Sequence, residues 1–212
     1  MISQFVYGHP VETYAVVEDV PVLGHEQLRH FTRKKGSPQA FSCPLREEDI
    51  VYGLGETMRG INKRGYRYIS FNYDDPIHRD DMPSMYGAHN FLVVDGAKPF
   101  GAFFDTPAKV VFDVDSKGDG VLTVFCESQD LRLYLVEGKT AYDTARQFLG
   151  IIGRSFLPPL WAFGYGQSRW GYKTERDVSR VADKHREAGI PLDYICMDID
   201  YMDRYIDFTV NE

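Results

Sequence analysis

Between Trp161 and Asp203 the chain sets an aromatic and basic cluster, Arg169-Trp170-Gly171-Tyr172, ahead of a helical pattern, and follows it with acids at Asp198, Asp200, Asp203 and Asp207. The stretch reads as strand, helix, strand, with charge emerging where the second strand stops. In parallel α/β architectures ligands meet the protein at the carboxyl ends of strands, so the two clusters suggest half of a binding pocket. If the second strand persists, its period of two puts Asp198 and Asp200 on one face. A solvated loop whose acids cap a following helix or pair with Arg204 fits the same spacing, and spacing alone leaves that alternative open. A calcium loop does not fit, because the turn glycine and the distal Glu are absent.

A second polar constellation, Phe71-Asn72-Tyr73-Asp74-Asp75-Pro76 with His78, Arg79, Asp80 and Asp81, precedes Tyr86-Gly87-Ala88-His89. A loop of this length leaving a sheet either serves a neighbouring domain or is turn chemistry built on acid-Pro steps. Val51-Tyr52-Gly53-Leu54-Gly55-Glu56 superficially suggests a dinucleotide fingerprint, but position 58 is Met and no helix pattern follows. It reads better as a strand edge and turn where glycine permits close backbone approach. Cys43, Cys126 and Cys196 are odd in number and embedded in apolar surroundings, which points to buried free thiols. With six scattered histidines and no HExxH, neither a metal nor any other cofactor is expected.

The elements that must hold these groups fall into two rhythms. Up to about residue 135, short strands alternate apolar and polar residues between Gly, Pro, Asp and Asn, as in an antiparallel sandwich. Val11 to Val17, Phe91 to Asp95, Phe100 to Phe104, Lys109 to Val114, Val121 to Glu127 and Leu131 to Val136 are the clearest. Asp95-Gly96, Lys117 to Gly120 and Glu137-Gly138 supply turn residues. From Thr140 the spacing of Ala141, Ala145, Phe148, Leu149 and Ile152 predicts a helix, ended by Gly153 and Pro158-Pro159. A strand is expected over Trp161 to Gln167. A helix follows, opened by Thr174 with Glu175 and Asp177 and closed by Gly189 and Pro191. The run Tyr194 to Met197, apolar on both faces, reads as a covered parallel strand, and a right-handed βαβ unit results. The expected domains are a sandwich at 1–137, a connecting helix and linker at 138–157, and a βαβ-containing domain from 158 to 212.

Composition bounds the partners. A chain of 212 residues with 43% hydrophobic and 14% aromatic content can bury a sizeable core. Its 24 Lys and Arg against 31 Asp and Glu leave a net charge of −7, whose field repels phosphate backbones and anionic membranes, so no nucleic acid or membrane partner is expected. The start lacks a basic segment followed by an apolar one, and no run approaches the ~18 apolar residues that span a bilayer. A cytoplasmic location is the expectation.

Together Tyr52-Gly53-Leu54-Gly55-Glu56, Asn72 to Pro76, Phe163-Gly164 with Arg169 to Tyr172, and Asp198 to Asp203 with Asp207-Phe208-Thr209 carry a resemblance that spans nearly the whole chain. In that order and at those separations they resemble the N-terminal part of glycoside hydrolase family 31, the α-glucosidase and α-xylosidase group, with bacterial α-glucosidases the nearest in kind. The resemblance implies a mainly β fold: an N-terminal antiparallel β-sandwich of the galactose mutarotase-like type, then the first βαβ of a (β/α)8 TIM barrel. The sandwich would lend a loop to the substrate pocket.

The resemblance also assigns roles. Asp198 matches an aspartate that hydrogen-bonds sugar hydroxyls, Ile199 lines the pocket, Trp170 forms its aromatic wall, and Asp74 is the acid brought by the sandwich loop. The chemistry agrees, since one carboxylate accepts two sugar hydroxyls while an indole covers the ring's apolar face. Arg169, Asp200 and Asp203 are read as residues that fix the loop. Retaining hydrolysis needs two carboxyl groups roughly 5 Å apart, and in the family both lie on later barrel strands. A barrel usually takes ~250 residues, so the stretch after Pro159 holds no catalytic residue on this reading. The expected function is the substrate-binding N-terminal portion of a retaining α-glucosidase that removes terminal α-linked glucose from small oligosaccharides. An α-xylosidase is the alternative within the family, and a non-catalytic carbohydrate-binding or assembly module the alternative outside it. Unpaired strand edges and an apolar helix-facing surface predict self-association, as in a homo-oligomer, or poor order after about Gly166.

Overall fold

The structure, a computed structural model that describes residues 1–36 and 38–212, divides into two units, Met1–Arg154 and Ser155–Glu212. In the first, Ile2–Tyr7 (β1), Thr32–Lys34 (β2), Gln39–Pro44 (β3), Ile50–Gly55 (β4) and Tyr66–Ser70 (β5) precede Ala88–Asp95 (β6), Phe100–Asp105 (β7), Val110–Val114 (β8), Val121–Cys126 (β9) and Leu131–Glu137 (β10). One sheet runs β1-β10-β7-β6-β4 and the other β2-β3-β9-β8-β5. Neighbours are antiparallel, as in β6 and β7, where Val94 pairs with Phe100 after the Asp95-Gly96 turn.

Side-chain alternation explains the two layers. In β3 and β9 every second residue is buried, and Phe41, Cys43, Leu122 and Val124 meet Phe5, Phe104, Leu92 and Leu133 between the sheets. Strand β10 departs from alternation: Leu131, Leu133 and Leu135 enter this core while Tyr134 and Val136 are also buried. The cause is the helix Ala141–Ile152 (α1), whose Phe148 and Ile151 cover the outer face of that sheet. The Phe148 ring stacks on Phe91 at 3.8 Å and meets Phe103 edge-on at 5.3 Å. The helix begins where the sequence places it, with the Thr140 hydroxyl accepting the Asp143 N–H.

Three expectations need correction. Val11 to Val17 forms no strand. Tyr14 has φ +57°, which breaks the extension, and the segment instead straps α1, the N–H groups of Val17 and Glu18 both donating to Ile151 O. Of its valines only Val16 packs against the cluster under the helix, and Val11 and Val17 are exposed. Strands β1 to β3 and β5 were not among the clear sequence signals. At Gly53, read as a point of close approach, a Cβ would stand 2.5 Å from Phe91 O, and the β4–β6 register shifts between Gly53 and Gly55 as in a bulge.

In the second unit Leu160–Phe163 is a turn of 3-10 helix, so the strand expected over Trp161 to Gln167 starts only at Gly166. The displacement follows from Ala162 N–H turning back to Pro159 O. Gly166–Arg169 (β11), Glu175–Glu187 (α2) and Tyr194–Met197 (β12) then form the βαβ unit with parallel strands. Thr174 caps α2 by accepting the Asp177 N–H, and Gly189 follows its end at φ +66°. The third correction is burial: Tyr194, Cys196 and Met197 are exposed. Two strands and one helix cannot cover both faces of a parallel sheet, which needs further elements on each side. Cys196 is thus an exposed thiol, whereas burial pushes Cys43 and Cys126 up to about 12. Such thiols stay protonated and make poor nucleophiles.

Candidate functional site

The ladder between β11 and β12 sets the geometry. Gly166 pairs with Tyr194 and Arg169 with Met197, so both strands end at the same level. The next residues, Trp170 and Asp198, therefore leave neighbouring strands side by side, at the ~4.8 Å spacing of adjacent strands. The outer edge of the Tyr194 ring lies against Gly166, where a Cβ would run into it. Asp193 fixes the strands at their start: its carboxylate accepts the Tyr165 N–H at 2.9 Å, and its own N–H donates to Tyr165 O at 2.9 Å.

Trp170 turns outward with 71% of its surface exposed, whereas Tyr172 is buried at 6%. The Tyr172 hydroxyl accepts from Gln167 Nε2 at 3.2 Å, and the Tyr165 hydroxyl donates to Gln167 Oε1 at 2.8 Å. This chain of contacts braces the turn that carries Trp170. Arg169 and Ile199 are exposed at the same edge.

Past Met197 the strand stops, so Asp198 and Asp200 do not share a strand face. The acidic segment folds on itself: Met202 N–H donates to Ile199 O and Asn211 N–H to Tyr201 O. Asp200 accepts from the Tyr205 hydroxyl at 3.3 Å. Asp203 takes the Arg204 guanidinium on both carboxylate oxygens, at 3.1 and 3.2 Å, and its N–H donates to Thr209 Oγ1. Arg204, Tyr205 and Phe208 all hold positive φ, a conformation that costs non-glycine residues of order 1–3 kcal/mol each. Among the described residues no hydrogen bond or ion pair engages the exposed carboxylates of Asp198 and Asp207, and of these two Asp198 is the one that directly follows a strand.

Asp74 belongs to the other unit, on an arm spanning residues 71–87 between β5 and β6. The arm's two legs are paired: Ile69 N–H donates to Pro83 O, Tyr73 N–H to Met85 O, and Ser84 Oγ to Phe71 O. Met82 and Met85 are buried and anchor the second leg. Arg59 holds the arm from outside, donating to Asp81 O at 2.7 Å and Arg67 O at 2.9 Å while lying over the Tyr66 ring at 4.5 Å. The adjacent acids divide their work. Asp75 closes a turn by accepting Ile77 N–H and pairs with Arg79 at 3.6 Å, while Asp74 stays exposed.

Beside Asp74 stands Tyr86. Shielding from water, and then the Asp74 carboxylate, with Asp75 and Glu56 further contributing, push the Tyr86 hydroxyl above its ordinary value. Tyr86 and the Gln167 network carry no sequence signature, because each depends on pairing across a turn. A cavity of about 700 Å³ in the first unit, among Leu54, Phe91, Phe103 and Phe148, does not include Asp74. Among the described residues no three His, Cys, Asp or Glu side chains gather as metal ligands, and no helix is long and apolar enough to cross a membrane.

Comparison with known proteins agrees with both units. Residues 10–113 match the family model described as the glycosyl hydrolase 31 N-terminal galactose mutarotase-like domain, and residues 155–212 match that of the glycosyl hydrolases family 31 TIM-barrel domain. The chain is 36% identical over 168 residues to alpha-glucosidase 2 of Bacillus thermoamyloliquefaciens, covering 77% of this chain and 21% of that one. It is 30% identical over 224 residues to alpha-xylosidase 1 of Arabidopsis thaliana, covering 99% and 24%. In structure it is similar to a Flavobacterium johnsoniae dextranase complexed with glucose, with a TM-score of 0.73 and 24% identity over 82% of this chain and 21% of the other. The chain thus spans about a fifth to a quarter of the length of the relatives it matches.

Proposed function

The chain belongs to glycoside hydrolase family 31, and from that premise we propose that it is the N-terminal, substrate-binding portion of a retaining α-glucosidase acting on terminal α-linked glucose of oligosaccharides. The observation that carries this reading is the β11–β12 register, which ends both strands level and sets Trp170 beside Asp198. There the open carboxylate of Asp198 accepts two sugar hydroxyls and the indole of Trp170 covers the apolar face of the ring. Ile199 borders the same pocket, and Asp74, the open acid of the sandwich arm, is on this reading a further sugar-binding carboxylate. Asp200 and Asp203, tied to Tyr205 and Arg204, hold the loop that presents Asp198, and Arg169 supports the same edge.

Binding and bond cleavage divide between parts of the enzyme. Retaining hydrolysis uses a nucleophile and an acid/base about 5–5.5 Å apart, and on this reading both stand on barrel strands beyond the two described here. The residues of this chain grip the non-reducing sugar and align its anomeric carbon with that pair.

The test is kinetic. In the enzyme that carries this chain, Asp198→Asn and Trp170→Ala should each lower kcat/KM for p-nitrophenyl α-glucoside by about a hundredfold, the worth of one or two charge-assisted bonds or a buried ring face. Values within twofold of wild type would remove the pocket assignment. The coverage of the chain by an α-xylosidase favours one second reading, preference for an α-xyloside. A higher kcat/KM on p-nitrophenyl α-xyloside than on the glucoside would select it.

A further inference from the structure

Resting on the role proposed for Asp74, we infer that Tyr86 is the positioning residue for that carboxylate, its hydroxyl donating to one Asp74 oxygen and leaving the remaining lone pairs to the sugar. The arm's construction brings the two together. Tyr73 N–H donates to Met85 O at 3.0 Å, and the contacts 69 to 83, 71 to 84 and 73 to 85 advance in the same direction along both segments, so the next residues, Asp74 and Tyr86, leave side by side. The backbone directly after Tyr86 is held as well, because Gly87 N–H donates to Glu56 Oε2 at 2.8 Å. On the ring's other side His78 packs edge-on at 5.8 Å, which limits rotation of the phenol.

This arrangement answers a need that Asp74 alone does not meet. An exposed aspartate samples several rotamers, and the sugar would have to select one at an entropic cost. A phenol that donates to one oxygen sets the carboxylate plane before the ligand arrives. Asp75, one residue on, cannot substitute, since its oxygens already serve the Ile77 N–H and Arg79. Shielding from water, and then the neighbouring carboxylates, raise the Tyr86 hydroxyl above its ordinary value, so it is a donor at working pH.

A double-mutant cycle in the enzyme tests the pair. Asp74→Asn and Tyr86→Phe should each raise KM for p-nitrophenyl α-glucoside about tenfold with kcat little changed, and the double variant should be no worse than Asp74→Asn alone. Tyr73→Phe, another exposed phenol on the arm, should leave both constants unchanged. In the 212-residue chain itself, Asp74→Asn should lower the titration midpoint of Tyr86 followed by the ¹³Cζ NMR signal. Effects that multiply in the double variant, or a Tyr86 midpoint indifferent to Asp74, would overturn the inference while leaving the role of Asp74 standing. A neutral Asp74→Asn would instead remove the role of Asp74, and that of Tyr86 with it.

Discussion

Single residues show how side chains of one type take different work. Asp198 is open, Asp203 is spent on Arg204, Asp75 on a turn and Arg79, and Asp115 is structural. Asp115 accepts from Arg64 Nε at 2.7 Å and from Gly120 N–H at 2.7 Å, and the Arg64 bond, the largest influence, holds its carboxyl below the usual range. Arg64 also donates to Arg46 O and Glu47 O, joining three loops. A carboxyl whose folded value lies below its unfolded one, about 3.9, adds stability that is complete above that pH and lost as pH falls through the folded value. Arg64→Met should therefore cost about 2 kcal/mol near neutral pH, read by urea unfolding, and the deficit should shrink below about pH 4. A deficit constant down to pH 2 would assign the cost to the backbone contacts alone. The acids at 198–207 and the Asp74 segment could be read from residue type and position, but which acid stays open could not. That depends on Arg204, Tyr205 and Tyr86 meeting them across turns, which no local spacing encodes.

Elements were legible where one physical rule governed them. Helix α1 was plain because apolar residues recur at three and four and Thr140 caps it, and α2 because Thr174 and Gly189 mark both its ends. Strands β6 to β10 alternate between turn residues and were read with only small differences at their ends. The strap over residues 11–17 misled, because its β-branched residues suit a strand although only Val16 packs inward. The strand before Arg169 began late because the turn after Pro159 consumed the aromatic residues that suggested extension. Helix α1 is fixed chiefly by Phe148 between Phe91 and Phe103. Phe148→Ala should destabilise the chain by about 3 kcal/mol, seen as a lower urea midpoint with an unchanged slope. A loss below about 1 kcal/mol would mean that α1 is held by its strap instead.

At the scale of the molecule, the residues proposed for sugar binding lie in both units. The sandwich offers an arm with Asp74, and the βαβ unit offers an edge with Trp170 and Asp198. The fold class was legible because alternation and βαβ patterning are both written locally, and four motifs in order carried the family. The exposure of β12 was not, since burial of a parallel strand depends on elements outside its own sequence. The relatives are about four times as long as this chain, since 77% and 99% of it cover 21% and 24% of them, and the proposal assigns binding to this portion and cleavage to another. The most direct measurement incubates the purified 212-residue chain with p-nitrophenyl α-glucoside, beside its Asp198→Ala variant, and follows nitrophenol release. The account predicts no release above the uncatalysed rate from either; turnover by the chain that Asp198→Ala abolishes would contradict it, by making Asp198 a catalytic group and not a binding one.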